Sequence, residues 1–199
     1  MIPFKNKTGF LVATLVLVGS IGFNNSSFGG PLRRLAKMEM EKKMQKEKLL
    51  MYSAAFKNGE RIPVQFTADG PNVSPPLSWG TSPATTKSFA LICEDPDAPM
   101  GTWIHWIIYD IPADKKGLEQ NIPPKATLAD GSKQGTTSFN KLGYGGPKPP
   151  PGKPHRYFFK LFALDSMSNL PPAIDASKFH AFVQGHIVAE SDLMGTYSK

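Results

Sequence analysis

Cysteine is almost absent from this chain. The one thiol, Cys93, rules out an intramolecular disulfide and any cysteine-rich zinc site. Neither Gly-x-Ser-x-Gly nor His-Glu-x-x-His occurs, so serine-hydrolase and zincin readings lack their signatures. Ser138-Phe-Asn-Lys141 matches Ser-x-x-Lys, but the Ser-Asp-Asn companion of that motif is missing. No metal-ligand spacing is present, and nothing points to a cofactor. Acidic residues are absent from positions 1–30. Of the 23 Lys and Arg, nine precede residue 51, as do three of the 16 Asp and Glu, which leaves 14 basic and 13 acidic residues in 51–199. The basic excess therefore belongs to the N-terminal appendage. The main domain is nearly neutral and carries no footprint of nucleic-acid binding.

What is present divides into three stretches. Residues 1–29 read as an export signal: Lys5 and Lys7 precede an apolar core from Gly9 to Phe23, and Ser27-Phe28-Gly29 is a small-x-small cleavage triplet. That core is shorter than the roughly 20 apolar residues of a spanning helix. The alternative is an uncleaved signal anchor. Residues 30–50 form a basic linker of helix formers behind Pro31, with Glu39 and Lys43 as an i,i+4 pair. Its apolar residues make no clean stripe, so it reads as a solvated helix or as one lying on an anionic membrane surface. Residues 51–199 are the folded domain.

Nineteen prolines and 18 glycines favour a loop-rich, mainly β architecture. Strand-like runs cover Arg61–Thr67, Lys87–Glu94, Trp103–Tyr109, Arg156–Leu164 and His186–Leu193, and Ser74–Trp79 is extended. Asp175 and Gly185 bracket one clear helix over Ala176–Gln184. Many strands with one helix imply sheet packed on sheet. The Gly/Pro-rich stretch from Ala113 to Gly152 is too long to be mere connection.

Two segments about fifty residues apart carry the chemistry: Asp95-Pro-Asp97-Ala-Pro99 with Trp103-Ile-His105-Trp106, and Gly152-Lys-Pro-His155-Arg156-Tyr157. Strand alternation projects His155 with Tyr157, and Trp103 with His105. One wall of a pocket is then Asp95 with His105, and the other His155 with Tyr157. Gly145-Gly146-Pro147 can lend backbone N–H groups where the main chain approaches a ligand. Imidazoles that donate when charged suit phosphate or sulfate. Asp97 and Arg156 read as an ion pair joining the two loops, with a buried partner required if Arg156 is buried. His180 and His186 lack polar neighbours in sequence and read as structural. Cys93 reads as a small hydrophobe inside a strand.

At these residues the chain resembles the phosphatidylethanolamine-binding protein (PEBP) family, in its bacterial and archaeal branch; the eukaryotic members include the Raf kinase inhibitor proteins. The resemblance runs from about Ser53 to Lys199, through Asn72-Val-Ser-Pro-Pro-Leu-Ser-Trp79, Asp95-Pro-Asp-Ala-Pro99, Trp103-Ile-His-Trp106, Gly143-Tyr-Gly-Gly-Pro147, Pro151-Gly-Lys-Pro-His-Arg-Tyr157 and Gly185-His-Ile-Val-Ala-Glu190. It implies a β-sandwich of two antiparallel sheets with one or two peripheral helices. It also implies an anion pocket whose ligand groups fall on Asp95, Trp103, His105, Gly146, His155 and Tyr157, with Asp97, Pro99 and Arg156 as structural members of the motif. Crowding in Pro96-Asp-Ala-Pro99, together with the resemblance, predicts a cis Ala98–Pro99 peptide.

The link Met100-Gly-Thr102 is shorter than its eukaryotic counterpart, so kinase regulation does not transfer with the resemblance. Lys148 adds a cation at the pocket rim. The reading that follows is an exported, periplasmic or extracellular binding protein for a phosphate or phospholipid head group, non-enzymatic, with peripheral membrane contact through residues 1–50. Two rivals stay open at this point. One is an inhibitory or regulatory protein acting on a protease or kinase through protein contacts. The other is a phosphoester hydrolase using the Asp95 and His105 pair.

Overall fold

The computed structural model describes residues 49–199, together with the helical pair Arg34 and Leu35. The expected export signal and most of the basic linker lie outside the described residues. Five strands form one antiparallel sheet: β3 (Ser88–Asp95), β4 (Trp103–Pro112), β6 (Lys133–Gln134), β7 (His155–Leu164) and β8 (Ile187–Tyr197), in the order β6-β4-β3-β7-β8. Three short strands, β1 (Met51–Tyr52), β2 (Leu77–Trp79) and β5 (Gly117–Leu118), form a second antiparallel sheet in the order β1-β2-β5. The expected mainly β sandwich of two antiparallel sheets is what residues 49–199 adopt, with one α-helix among them, α1 over Ala176–Gln184.

Sequence explains the layering. β3 is central and buried along its whole length, so it reads as a near-continuous apolar run. Its odd positions Phe89, Leu91 and Cys93 join Tyr157, Phe159 and Leu161 of β7 in a core shared with Met51, Leu77, Trp79 and Leu118. Leu49 is buried in that same core. The even positions Ala90 and Ile92 face the other way, into a second core closed by Phe179 and Val183 of α1. Asp175 caps this helix by accepting from the Lys178 N–H at 2.8 Å, and Gly185 ends it, as the sequence predicts.

Two local expectations fail. Arg61–Thr67 is no strand: only Arg61 keeps a bridge, to Thr196, and Val64–Phe66 is a 3₁₀ turn. Pro63 has no N–H for a ladder, and Thr67 closes the turn by donating from its hydroxyl and its N–H to the Val64 carbonyl. The Ala98–Pro99 peptide is trans, since the described residues contain no cis bond. The reversal is made elsewhere in that loop. Asp95 Oδ1 accepts from the Asp97 N–H at 2.9 Å, and Gly101 takes a left-handed φ of +97° while donating to the Ala98 carbonyl.

Irregularities in the β3–β4 ladder position the site. Cys93 pairs with Trp106 while Glu94 pairs with Ile104, so His105 is an extra residue on β4. A second extra residue, Asp110, adopts φ +53° between the Phe89–Ile111 and Leu91–Ile108 pairs. Such bulges re-aim side chains.

Candidate functional site

β3 runs antiparallel to both β4 and β7, its two neighbours. The C-terminal end of β3 therefore lies beside the N-terminal ends of the other two, and Asp95 meets Trp103, His105, His155 and Tyr157 at one edge of the sheet. Together with Gly146, these six residues line a single cavity of about 450 Å³. The sequence placed them in one pocket, and the structure brings all six together. Pro99 joins them in the lining.

Their pairing differs from the expectation. Asp95 lies near His105 but is hydrogen-bonded to His155: His155 Nδ1 donates to Asp95 Oδ2 at 2.8 Å. Continuing the Glu94–Phe158 register by one residue puts Asp95 opposite Tyr157 and diagonal to His155, which explains the reach. His105, swung by its bulge, instead donates from Nδ1 to the Gly145 carbonyl and stands edge-on to Tyr157 with ring centroids 5.1 Å apart. Burial holds the His105 pKa below the ordinary imidazole value, against the opposing pull of the Gly145 carbonyl and the Asp95 charge. Burial, reinforced by the Asp95 charge, pushes the Tyr157 phenol far above its usual range, so it stays a neutral hydroxyl.

The glycine loop offers less than expected. The Gly145 N–H is spent on the His105 carbonyl at 2.8 Å, and the Gly146 N–H on Asn72 Oδ1 at 2.7 Å. Neither donates into the cavity. Glycine is needed at 146 for space: a Cβ there would sit 2.5 Å from the Phe66 carbonyl oxygen and 2.8 Å from Thr67 Cα.

Around the mouth the lining is mainly apolar, with Ala68, Ala98, Met100, Phe139, Pro149 and Pro150, and Met100 is 90% exposed. Lys148 lies among them, loosely paired with Asp69 at 3.7 Å. Beside the cavity, Arg156 binds Asp97 through its N–H, Nε and Nη2 at 2.7–2.9 Å. The guanidinium holds the Asp97 carboxyl down at about 2. The pair is the one the sequence suggested, but it is solvent-exposed, so Arg156 has no need of a buried partner.

Sequence reading missed Phe139, whose ring stands 5.4 Å from both Trp103 and His105, and gave no role to Asn72, which it quoted only at the head of a family motif and which the structure holds at a left-handed φ of +59°. Groups assigned no chemistry sit outside the cavity. Ser138 Oγ accepts from the Ile104 N–H. Burial raises the Cys93 thiol pKa well above its ordinary value. His180 and His186 pair with Glu94 and Asp165. Among the described residues no group of three or more His, Cys, Asp or Glu could hold a metal ion.

Comparison with known proteins agrees with this geometry. The family model for phosphatidylethanolamine-binding protein matches residues 52–198. A UPF0098 protein of Methanothermobacter thermautotrophicus is 48% identical over 145 residues, spanning 73% of this chain and 95% of that one. Another from Aquifex aeolicus is 45% identical over 151 residues, with 75% and 88% covered. Among solved structures, the PEBP homologue CT736 of Chlamydia trachomatis superposes with a TM-score of 0.70 at 34% identity, over 77% of this chain and 99% of that one. YbcL of E. coli, described as a member of the mammalian PEBP family, gives 0.72 at 30% identity, over 76% and 99%. The strand ends, the cavity they enclose and these matches make the chain a member of the phosphatidylethanolamine-binding protein family.

Proposed function

We propose that this protein is a non-enzymatic binding protein whose cavity accepts a phosphate group, free or as the head group of a lipid. The observation that carries the reading is the convergence of His105, His155, Tyr157 and Trp103 in one cavity of about 450 Å³, with Lys148 at its rim. A cavity of this size suits a small head group held by a few convergent polar groups. No Ser, Thr or Cys lines it, and the Tyr157 hydroxyl is held far from ionisation, which argues against covalent transfer to a side-chain hydroxyl or thiol there. The family's name supports a phospholipid head group, and export is supported by the sequence of residues 1–29. Calorimetric titration with inorganic phosphate is the test, comparing wild type with the His105→Ala/His155→Ala double variant. Saturable binding lost in the variant is expected. Binding unchanged in the variant sinks the reading.

A further inference from the structure

β8 is the last strand of its sheet, and its outer edge is covered over only part of its length. In an antiparallel ladder the main-chain groups of alternate residues point to one neighbour, and those between point away. Near the C-terminal end of β8 the outward groups are used. Met194 donates its N–H to Asn58 Oδ1 and accepts from the Gly59 N–H, both at 2.8 Å. Thr196 donates to the Glu60 carbonyl and accepts from the Ile62 N–H, again at 2.8 Å. The same alternation turns the N–H and C=O of Glu190 and Asp192 outward, and among the described residues nothing bonds them. The open stretch is bounded. Val188 is an extra residue between the Leu164–Ile187 and Ala163–Ala189 pairs, and such a bulge interrupts pairing. Between it and Met194 lies Ala189–Leu193, about 17 Å of strand.

Side chains along this stretch favour one kind of partner. Glu190 and Asp192 are exposed on the α1 side, where with Lys160, Phe162 and His180 they line a cavity of about 370 Å³. Asp192 stands opposite Lys160 in register, but Lys160 goes to Glu94 at 2.6 Å, as does His180 at 3.0 Å. The carboxylates of Glu190 and Asp192 are thus left without an ion-pair partner among the described residues. On the other face of β8, Ser191 Oγ accepts from the Met51 N–H at 2.9 Å. Leu50 and Tyr52, which flank Met51, are 55% and 58% exposed.

A second copy of β8 is a poor occupant. Pairing edge to edge would set Glu190 and Asp192 against their own counterparts, and like charges across a ladder destabilise it. A strand carrying Lys or Arg at every second position meets both needs. Its main chain completes the ladder at Glu190 and Asp192, and its cations enter the carboxylate-lined cavity. Its intervening side chains fall on the side of Leu50 and Tyr52, which suits apolar residues. We propose that the Ala189–Leu193 edge of β8 docks an extended segment of another protein, with Lys or Arg at alternate positions, by strand addition. This surface shares no lining residue with the Asp95–His105 cavity, so it stands whatever that cavity binds.

The experiment titrates full-length protein into short, capped, fluorescein-labelled peptides, with anisotropy as the readout. One peptide alternates Lys and Val, one alternates Glu and Val, and two are the Lys/Val peptide methylated on alternate backbone nitrogens, in either phase. Saturable binding of the Lys/Val peptide is expected, weakening with salt, and none of the Glu/Val peptide. Methylation in one phase should abolish binding and in the other should spare it, since only one set of N–H groups faces β8. In Glu190→Lys/Asp192→Lys the Lys/Val peptide should bind at least about tenfold more weakly. The same variant should now take the Glu/Val peptide, a switch that a damaged fold would not produce. No saturable binding of the Lys/Val peptide, or binding that ignores methylation in both phases, overturns the proposal. So does tighter peptide binding in Lys42→Gln/Lys43→Gln/Lys46→Gln, which would give the edge to the chain's own basic linker.

Discussion

Glu94 and Asp95 are consecutive on β3 and each holds a histidine, but on opposite faces of the sheet. Asp95 holds His155 between the sheets, where the imidazole side chain is 11% exposed and lines the cavity. Glu94 holds His180 of α1 at 3.0 Å and Lys160 of β7 at 2.6 Å, with the His180 side chain 48% exposed. The same pair of side-chain types makes a ligand-facing group on one side and a helix-to-sheet latch on the other. What separates them is burial, and the presence of a third, basic partner. In the pocket the carboxylate's remaining bond comes from the Asp97 N–H of its own loop, which fixes its orientation without neutralising it. Under the helix Glu94 is buried too, but Lys160 compensates it and water reaches the Lys160 and His180 ends.

The contrast is open to attack, most strongly at the buried carboxylate. Asp95→Ala strands the His155 imidazole and removes the loop's Asx turn. It is expected to cost about 2–3 kcal/mol in chemical denaturation, with at least about tenfold weaker phosphate binding in calorimetry. Loss of stability with affinity intact would place the Asp95–His155 pair with the latch. Next in size is Glu94→Gln, which leaves Lys160 and His180 able to turn to solvent. A loss of about 1 kcal/mol and unchanged phosphate affinity are expected. His180→Ala should lower stability by no more than about 0.5–1 kcal/mol, again without moving the phosphate titration. An effect of either helix-side variant on affinity would join the two regions and undo the comparison.

Two pH experiments sharpen it. Phosphate affinity is expected to rise as pH falls from about 7.5 to 5.5, because the ligand itself gains a proton in that window and with it a hydrogen-bond donor. Flat affinity would mean that neutral donors do the binding. The smallest effect is at the exposed Asp97–Arg156 pair. Asp97 is depressed in the folded state to about 2. Its contribution is therefore present above the unfolded carboxylate value of about 4 and is lost as pH falls toward 2. Both partners are partly exposed, so screening limits this to a few tenths up to about 1 kcal/mol. The gap in melting temperature between wild type and Asp97→Asn should be constant above about pH 4 and close toward pH 2.

Much of this was readable from residues because strands broadcast their faces. The apolar runs of β3, β4 and β7, and the spacing His155-x-Tyr157, are period-two signals that survive any register. The cap at Asp175 is equally local. What stayed hidden depends on pairs distant in sequence. Whether Asp95 takes His105 or His155 is decided by ladder register, and Asn72 captures the Gly146 N–H across 74 positions. Phe139 reaches the cavity from a loop with no periodicity to betray it. Arg61–Thr67 misled because β-formers surround a proline that breaks the ladder.

The extra residue at His105 also gives the pocket a dependence on counting. β4 steps over two residues where β3 steps over one, and that phase slip lets His105 and Trp106 serve the same side of the sheet. Losing one residue between Thr102 and Trp106 would restore a regular ladder, in which the residue just before Trp106 turns to the helix side and no imidazole can share the face of Trp106 there. In this stretch, length should therefore be guarded more strictly than letter. A deletion scan should fall silent in phosphate binding here well before a substitution scan does.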